Sequence, residues 1–524
     1  MTGIVLVKGE NTPEETLTCI TVTTGAKCLP ASQITHCNGL VLHDSHAEIL
    51  AMRAFNFWLL SECHSYLSRE QESPDSSSAS ARDTDQSVSQ YIRRRKRLQI
   101  SGKEGPEPPF ELRPDIAIYM YCTCAPCGDA SMELVMAAQE DPTPWEMPMP
   151  DPIPTTPSDT SPQPQSQNKS QNKNQNEKPI LLSGRAHFQN LGSVRRKPAR
   201  ADAAATKSKS CSDKMALRQV SSLLNYETSL LVAVTWNAYI RGVVLPEEEI
   251  SRTGVERCFG GGSSGRMRGL VGRHWGTSYD EAGDNDDDDD DETASARKED
   301  GGGEHAFAFH PFTILSIPTA QLKSLWAFRK PRVTDPVPDG ETMKKAKPGN
   351  ISAVWVRAPT STPTTEHQQA KSEPSVLSPS DNGSKNLPIL RGSKTGLFES
   401  LINGVRQGHK ISSPGIRGAS ALSRAKMWRG YREVALSLAS EFREVEGAMV
   451  SDADAQADAN IPAFHASTYR QFKDPEPGVT GQIRARKRAM RAAKEVLKGW
   501  VPNSGDEEWG LDVLVDTNVK KRKR

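Results

Sequence analysis

Apolar positions fall into short, sharply different patterns along this chain. Ile4-Val5-Leu6-Val7 and Leu17-Thr18-Cys19-Ile20-Thr21-Val22 are strand-length runs, and Glu10-Asn11-Thr12-Pro13 between them is turn chemistry. A loop at Gly25-Ala26-Lys27-Cys28-Leu29-Pro30 follows. Ile49, Leu50, Phe55, Trp58 and Leu59 then recur at roughly helical spacing, which predicts a helix with one buried face. Asp44 or Ser45 can cap it. Asp115-Ile116-Ala117-Ile118-Tyr119-Met120-Tyr121 is a β-rich run fit for a buried strand, and Met132 to Ala138 reads as helix. An amphipathic helix opens at Cys211 and continues through Val220 and Leu224. Helical patterning returns over 420–442 and 482–497.

Between these segments the periodicity disappears. Stretches 68–109, 139–180, 260–304 and 358–388 are dominated by Ser, Pro, Gln, Asn, Gly or charge, and are expected to be disordered insertions. The third contains a glycine-rich hinge at 260–265 and an acidic run at 284–292, which reads as a solvated loop or a site for a basic partner. A basic tail, 517–524, closes the sequence. On the order of 330 residues remain without the insertions, enough for one large α/β domain spread over 1–524.

Composition adds little by itself. Hydrophobic residues are 36% of 524, and the net charge of +1 conceals local asymmetry, so the average says nothing about partners. No stretch approaches the roughly 18 unbroken apolar residues of a membrane span. The start, Met1-Thr2-Gly3-Ile4-Val5, lacks the charged and apolar regions of a signal peptide. No membrane and no obligate protein partner is therefore expected. Nine cysteines without an export signal suggest a reducing compartment, with metal or catalytic use rather than a disulfide frame. Arg93-Arg94-Arg95-Lys96-Arg97 and Lys520-Lys521-Arg522-Lys523-Arg524 read as nuclear addresses, RNA-gripping segments or solvated charge, and the expected location is the nucleus, the cytoplasm or both.

The chemistry starts at His46-Ala47-Glu48. Both polar residues fall in the first turn of the predicted helix, at the positive end of its dipole. A histidine offers a metal a neutral nitrogen, and a glutamate two positions on can reach an attacking water without ligating the metal, which is the H-x-E half of a zinc-deaminase signature. Alone, such a triplet is usually a capped helix start, so its partners decide. Pro126-Cys127 lies at an expected helix start, where a thiol is favoured as thiolate. Cys211 stands at another. Cys124-Ala125-Pro126-Cys127 is also formally C-x-x-C, able to supply both sulfurs or a redox pair. Against that, Cys124 belongs to the strand end, and Ala130 stands where a deaminase P-C-x-x-C would have its second cysteine. His46, Cys127 and Cys211 would leave one tetrahedral position of a zinc ion open, as catalytic sites do, with Glu48 moving the proton.

His46-Ala47-Glu48, Pro126-Cys127-Gly128-Asp129-Ala130-Ser131 and Ser210-Cys211-Ser212-Asp213-Lys214, in this order, resemble the A-to-I editing deaminase domain shared by adenosine deaminases acting on RNA and on tRNA. Asp44-Ser45 and the Lys197-Pro198-Ala199-Arg200 loop are more similar to the tRNA-specific members. Leu245-Pro246-Glu247 with Arg257 and Phe259, Ser352 to Val356, Asn403 to Gly408, and Lys498-Gly499-Trp500 extend the likeness. The resemblance implies a cytidine-deaminase-like α/β fold, a mixed sheet with zinc-bearing helices. It implies one catalytic Zn2+ on His46, Cys127 and Cys211, with Glu48 as proton shuttle. It further implies hydrolytic deamination of adenosine to inosine in tRNA, at the position-37 adenosine beside the anticodon of tRNA-Ala. Editing of double-stranded RNA is the alternative activity, and a catalytically silent RNA-binding relative is the alternative class, weakened by the presence of Glu48.

Two further expectations come with the family. Lys197 and Arg200 form either a loop that grips RNA phosphate or a basic surface loop. The family's domain buries inositol hexakisphosphate, and Arg53, Lys214, Arg424, Tyr469, Lys473 and Trp500 fall at matching places, while Met52 and Leu217 replace arginines. The likeness begins at Gly3-Ile4-Val5, without the helix that precedes this strand in the family and without a double-stranded-RNA-binding pattern upstream.

Overall fold

In a computed structural model, the structure describes residues 1–72, 88–95, 107–138, 182–184, 188, 190–197, 204–276, 307–325, 349–360, 395–445, 466–474 and 481–515. The expected insertion 139–180, the acidic run 284–292, residues 361–388 and the tail 517–524 lie outside the described residues.

The two N-terminal apolar runs become β1 (Thr2–Lys8) and β2 (Thr16–Thr24), and the buried run becomes β3 (Ile116–Cys122). The other strands of the same sheet are β4 (Ile240–Pro246), β5 (Thr313–Ile317), β6 (Ile351–Arg357), β7 (Gly396–Ile402) and β8 (Val405–Arg406). Their spatial order is β5-β4-β3-β1-β2-β6-β7-β8. β3, β4 and β5 run parallel, and every other pairing is antiparallel, so the sheet is mixed as expected.

The helices are α1 (Ala47–Glu72), α2 (Met132–Ala137), α3 (Cys211–Ser221), α4 (Arg252–Phe259), α5 (Arg424–Val445), α6 (Tyr469–Lys473) and α7 (Gly481–Val496). α1 crosses β1, β2 and β6 and packs against α5. It is buried nearly all round rather than on one face, because Ala51, Met52, Ala54 and Phe57 are covered as fully as Leu50, Phe55, Trp58 and Leu59. Each large side chain enclosed there contributes roughly 1.5–3 kcal/mol relative to exposure. α1 is therefore the central beam of the core. Among the described residues, no helix is long and apolar enough to cross a membrane.

Composition misplaced two boundaries. Within the expected insertion 68–109, α1 continues to Glu72, and Ile92–Arg94 pairs antiparallel with Phe110–Leu112. Arg93, Arg94 and Arg95, expected as a free basic cluster, are ion-paired with Glu111, Glu70 and Glu107 at 2.5, 2.5 and 2.9 Å. Within the expected insertion 260–304, residues 260–276 are packed. Arg266 reaches back from that segment to Asp213 on α3 at 2.7 Å.

Candidate metal and catalytic centre

The first wall of the site is the chain that enters α1. After β2, Gly25 turns the backbone so closely that a Cβ there would lie 1.9 Å from the Ser45 carbonyl oxygen. Leu29, Ser45 and Ala47 N–H groups then donate to the carbonyls of His43, Lys27 and Gly25 at 2.9, 2.8 and 3.0 Å, holding 43–47 beside 25–29. Asp44, one of the two expected caps, accepts the His46 amide at 3.0 Å. The same oxygen accepts from His46 Nδ1 at 3.0 Å. The other carboxylate oxygen takes Lys197 Nζ at 2.9 Å, the Ser208 hydroxyl at 2.6 Å and Lys214 Nζ at 2.5 Å. Burial would raise the Asp44 pKa, but Lys197, Lys214 and His46 together hold it well below the usual carboxylate range.

The second wall joins Cys127 to the head of α3. Gly128 has φ 114°, and a Cβ on it would meet Ser210 Oγ at 2.2 Å, so glycine is what lets the two segments touch. Ser212 Oγ donates to the carbonyls of Pro126 and Cys127, each at 3.0 Å, and the Ser212 amide donates to the Cys127 carbonyl at 3.0 Å. Ser210 caps α3 by accepting the Asp213 amide at 3.1 Å. Asp129, fully buried, accepts Arg257 Nε at 3.1 Å, which ties the Cys127 loop to α4.

This arrangement corrects the expected reason for the Cys127 thiolate. Cys127 does not open its own helix, since a 3-10 turn at Asp129–Ser131 intervenes before α2. Its sulfur instead accepts the Cys211 amide, at the N-terminus of α3, at 3.4 Å. A hydrogen bond from the Cys211 side chain is the main cause that brings the Cys127 thiol down to about 6, against burial and with help from Lys197 and His46. Burial and the neighbouring thiolate push the Cys211 thiol up. Cys211 Sγ lies 3.3 Å from Glu48 Oε2 and 3.1 Å from Lys197 Nζ.

Cys127, Cys211 and Glu48 are thus brought together. His46 is close enough for its charge to favour the Cys127 thiolate, while its Nδ1 faces Asp44 and Cys28 Sγ, the latter at 3.5 Å. Cys28, Asp44 and His46 have donor atoms all within 4.8 Å of one another, and so do Cys37, His43 and Asp506 among the described residues. Neither trio contains the two sulfurs Cys127 and Cys211. The donor set nevertheless suits zinc: two sulfurs, one already favoured as thiolate, and an imidazole whose Nδ1 is engaged by a carboxylate, leaving Nε2 as the ligating nitrogen. Cys124 lies two residues beyond the end of β3, with its sulfur 4.0 Å from the Thr123 hydroxyl.

Several expected binding residues sit elsewhere than their sequence suggested. Lys197 is buried, and its ammonium is spent on Asp44 and Cys211 instead of facing RNA. Lys214, expected beside inositol phosphate, is bound to Asp44 and Ser208. Arg200 lies outside the described residues. Trp500 faces Lys209, whose Nζ is 5.5 Å from the ring centre. Met52 and Leu217 are core residues. Arg53, Arg424, Tyr469 and Lys473 gather around Glu227, joined by Arg486 from the basic helix α7 and by Arg218, which no sequence pattern pointed to. Tyr469 Oη donates to Glu227 Oε1 at 2.6 Å. Burial and mutual repulsion bring Arg218 down to about 9 and Lys473 to about 7, with Glu227 opposing. Arg486 Nε is buried without a hydrogen-bond partner. A polyphosphate fits this excess of enclosed positive charge.

Comparison with known proteins agrees with the geometry. The tRNA-specific adenosine deaminase 1 of Schizosaccharomyces pombe is 32% identical over 318 residues, 60% of this chain and 59% of the relative. The protein of the same name from Saccharomyces cerevisiae is 30% identical over 206 residues, 39% of this chain and 41% of the relative. The double-stranded RNA-specific editase B2 of Mus musculus is 34% identical over 130 residues, 25% of this chain and 14% of that protein. The chain therefore spans 59% and 41% of the two yeast relatives it matches. Residues 21–261 match the adenosine-deaminase (editase) domain, the family to which this stretch of the chain is similar.

Proposed function

We propose that this chain converts adenosine to inosine in tRNA, at the adenosine next to the anticodon of tRNA-Ala. The observation that carries this reading is the meeting of Cys127, Cys211 and Glu48 at the heads of α1 and α3, with Cys211 Sγ 3.3 Å from the Glu48 carboxylate. The names of the two yeast relatives favour tRNA over duplex RNA as substrate.

His46, Cys127 and Cys211 would hold a zinc ion, which when bound makes water a better nucleophile at neutral pH. Glu48 takes a proton from the attacking water and returns it to the base as water adds at the purine C6 and ammonia departs. Asp44 orients the imidazole of His46 through Nδ1. Lys197, between Asp44 and Cys211, offsets the negative charge that thiolates and carboxylates gather there. The cations around Glu227 would enclose inositol hexakisphosphate, which neutralises them where water is excluded.

Incubation with a tRNA-Ala transcript, followed by sequencing, should show adenosine reading as guanosine beside the anticodon. Conversion of long duplex RNA with untouched tRNA would instead assign the chain to duplex editing. No conversion of either would leave the silent RNA-binding reading.

A further inference from the structure

We infer that a cationic pocket at the β8 end of the sheet holds a backbone phosphate of the RNA substrate, away from the reacting base. It rests on the proposed action on tRNA. The cavity, about 450 Å3, is lined by Arg406, Gln407, His409, Ile416, Arg417 and Lys426, with Ala419 at its edge. Its shape comes from a two-residue hairpin. Asn403 and Gly404 take φ 52° and 81°, the left-handed pair that an Asn-Gly hairpin turn requires, and Arg406 emerges opposite Leu401. The Arg406 amide then donates to the Gly418 carbonyl at 2.9 Å, closing the loop that carries His409 and Arg417.

The charge around this cavity is unbalanced. Glu399 is the acid that reaches Arg406, at 3.7 Å, and it is already occupied by the Ser420 hydroxyl at 2.6 Å and the Ala421 amide at 3.2 Å. Lys426 and Arg417 form no ion pair among the described residues. Burial lowers the Lys426 pKa, and Arg429 and Arg406 lower it further against Glu399 and Glu433. An anion with several oxygens satisfies three neighbouring cations at once, and a phosphodiester is the anion that an RNA brings. The pocket is also built onto the catalytic wall. The Gly404 carbonyl accepts the Leu42 amide at 2.9 Å, two residues before Asp44, and the Ala425 amide donates to the Gly39 carbonyl at 3.0 Å. These two hydrogen bonds fasten the pocket's loop to residues 39–42, which lead into the catalytic wall.

The test measures tRNA binding and KM over a salt series for the full chain and for Arg417→Glu and Lys426→Gln, with Arg357→Glu, an exposed arginine outside the pocket, as the charge-matched control. The pocket variants should weaken binding severalfold and lower the slope of log affinity against log salt by about one unit, with melting temperature and zinc content unchanged. An unchanged slope, or an equal change in Arg357→Glu, overturns the inference. Loss of inositol hexakisphosphate from Arg417→Glu with tRNA binding intact assigns the pocket to free polyphosphate and also overturns it. The wild-type chain forming no inosine would end the proposed activity, and direct binding would still decide the pocket.

Discussion

His43 and Asp506 stand 463 positions apart in the chain, and His43 Nε2 meets Asp506 Oδ2 at 2.9 Å. The carboxylate also accepts the Gly39 amide at 2.8 Å and lies 3.5 Å from Arg424 Nη1. Cys37, the third member of this trio, gives its thiol to the Gln33 carbonyl at 3.3 Å. The donors are thus spent on protein partners, and the trio works as a clasp that fastens residues 503–510 to the loop leading to Asp44.

Removing that carboxylate leaves its three partners, His43, the Gly39 amide and Arg424, uncompensated. Asp506→Asn should cost about 3 kcal/mol, read as a lower urea midpoint. Asp474→Asn, which breaks an exposed pair with Lys487, should cost less than about 1 kcal/mol. Equal midpoints for the two variants would rule out the clasp.

Glu48→Gln should retain zinc while turnover falls roughly 10²- to 10⁴-fold, because the amide cannot carry the proton. Metal analysis and inosine formation on the same preparation check both halves. An active variant removes Glu48 from the chemistry.

Cys127→Ser and Cys211→Ser should each release the metal, whereas Cys124→Ser should keep it along with activity. Stoichiometric zinc loss in the Cys124 variant would move the ligand to the wrong end of the C-x-x-C.

The group around Glu227 predicts a pH dependence. Lys473 is held at about 7, from an ordinary value of 10.5, chiefly by burial and then by Arg486, Arg424 and Arg218. Across that window the unfolded chain binds a proton that the folded chain does not, so stability rises with pH and is lost as pH falls towards 7. Inositol hexakisphosphate restores the lysine's proton affinity and should flatten the slope. Melting temperatures across the window, with and without the polyanion, read this directly. A slope that is identical in both would show that Lys473 and the polyanion do not meet.

Local patterns carried the first strands, the entry to α1, and the positions of Cys127 and Cys211. The Asn403-Gly404 hairpin also had a local signature, though it served the sequence reading only as part of a family likeness. Contacts across hundreds of residues had none. The His43–Asp506 pair and Arg218 beside Lys473 depend on how the sheet folds the chain back on itself. Lys197 was misread for a physical reason: a basic run in sequence looks solvent-facing, yet one buried carboxylate, Asp44, recruits two of its lysine neighbours inward. Arg93 to Arg95 failed likewise, because three glutamates elsewhere absorb their charge.

Cys127 and Cys211 are fastened to each other through Ser212 and Gly128, and Lys197 and Arg195 from the chain between them add hydrogen bonds to Cys211 and Ser210. Loop-closure entropy grows only with the logarithm of length, about 0.6 kcal/mol per doubling. The number of residues that separate the two cysteines in sequence therefore has little thermodynamic consequence for the sulfur pair. A reporter or affinity handle inserted between residues 138 and 182 should accordingly leave the sulfur pair in place.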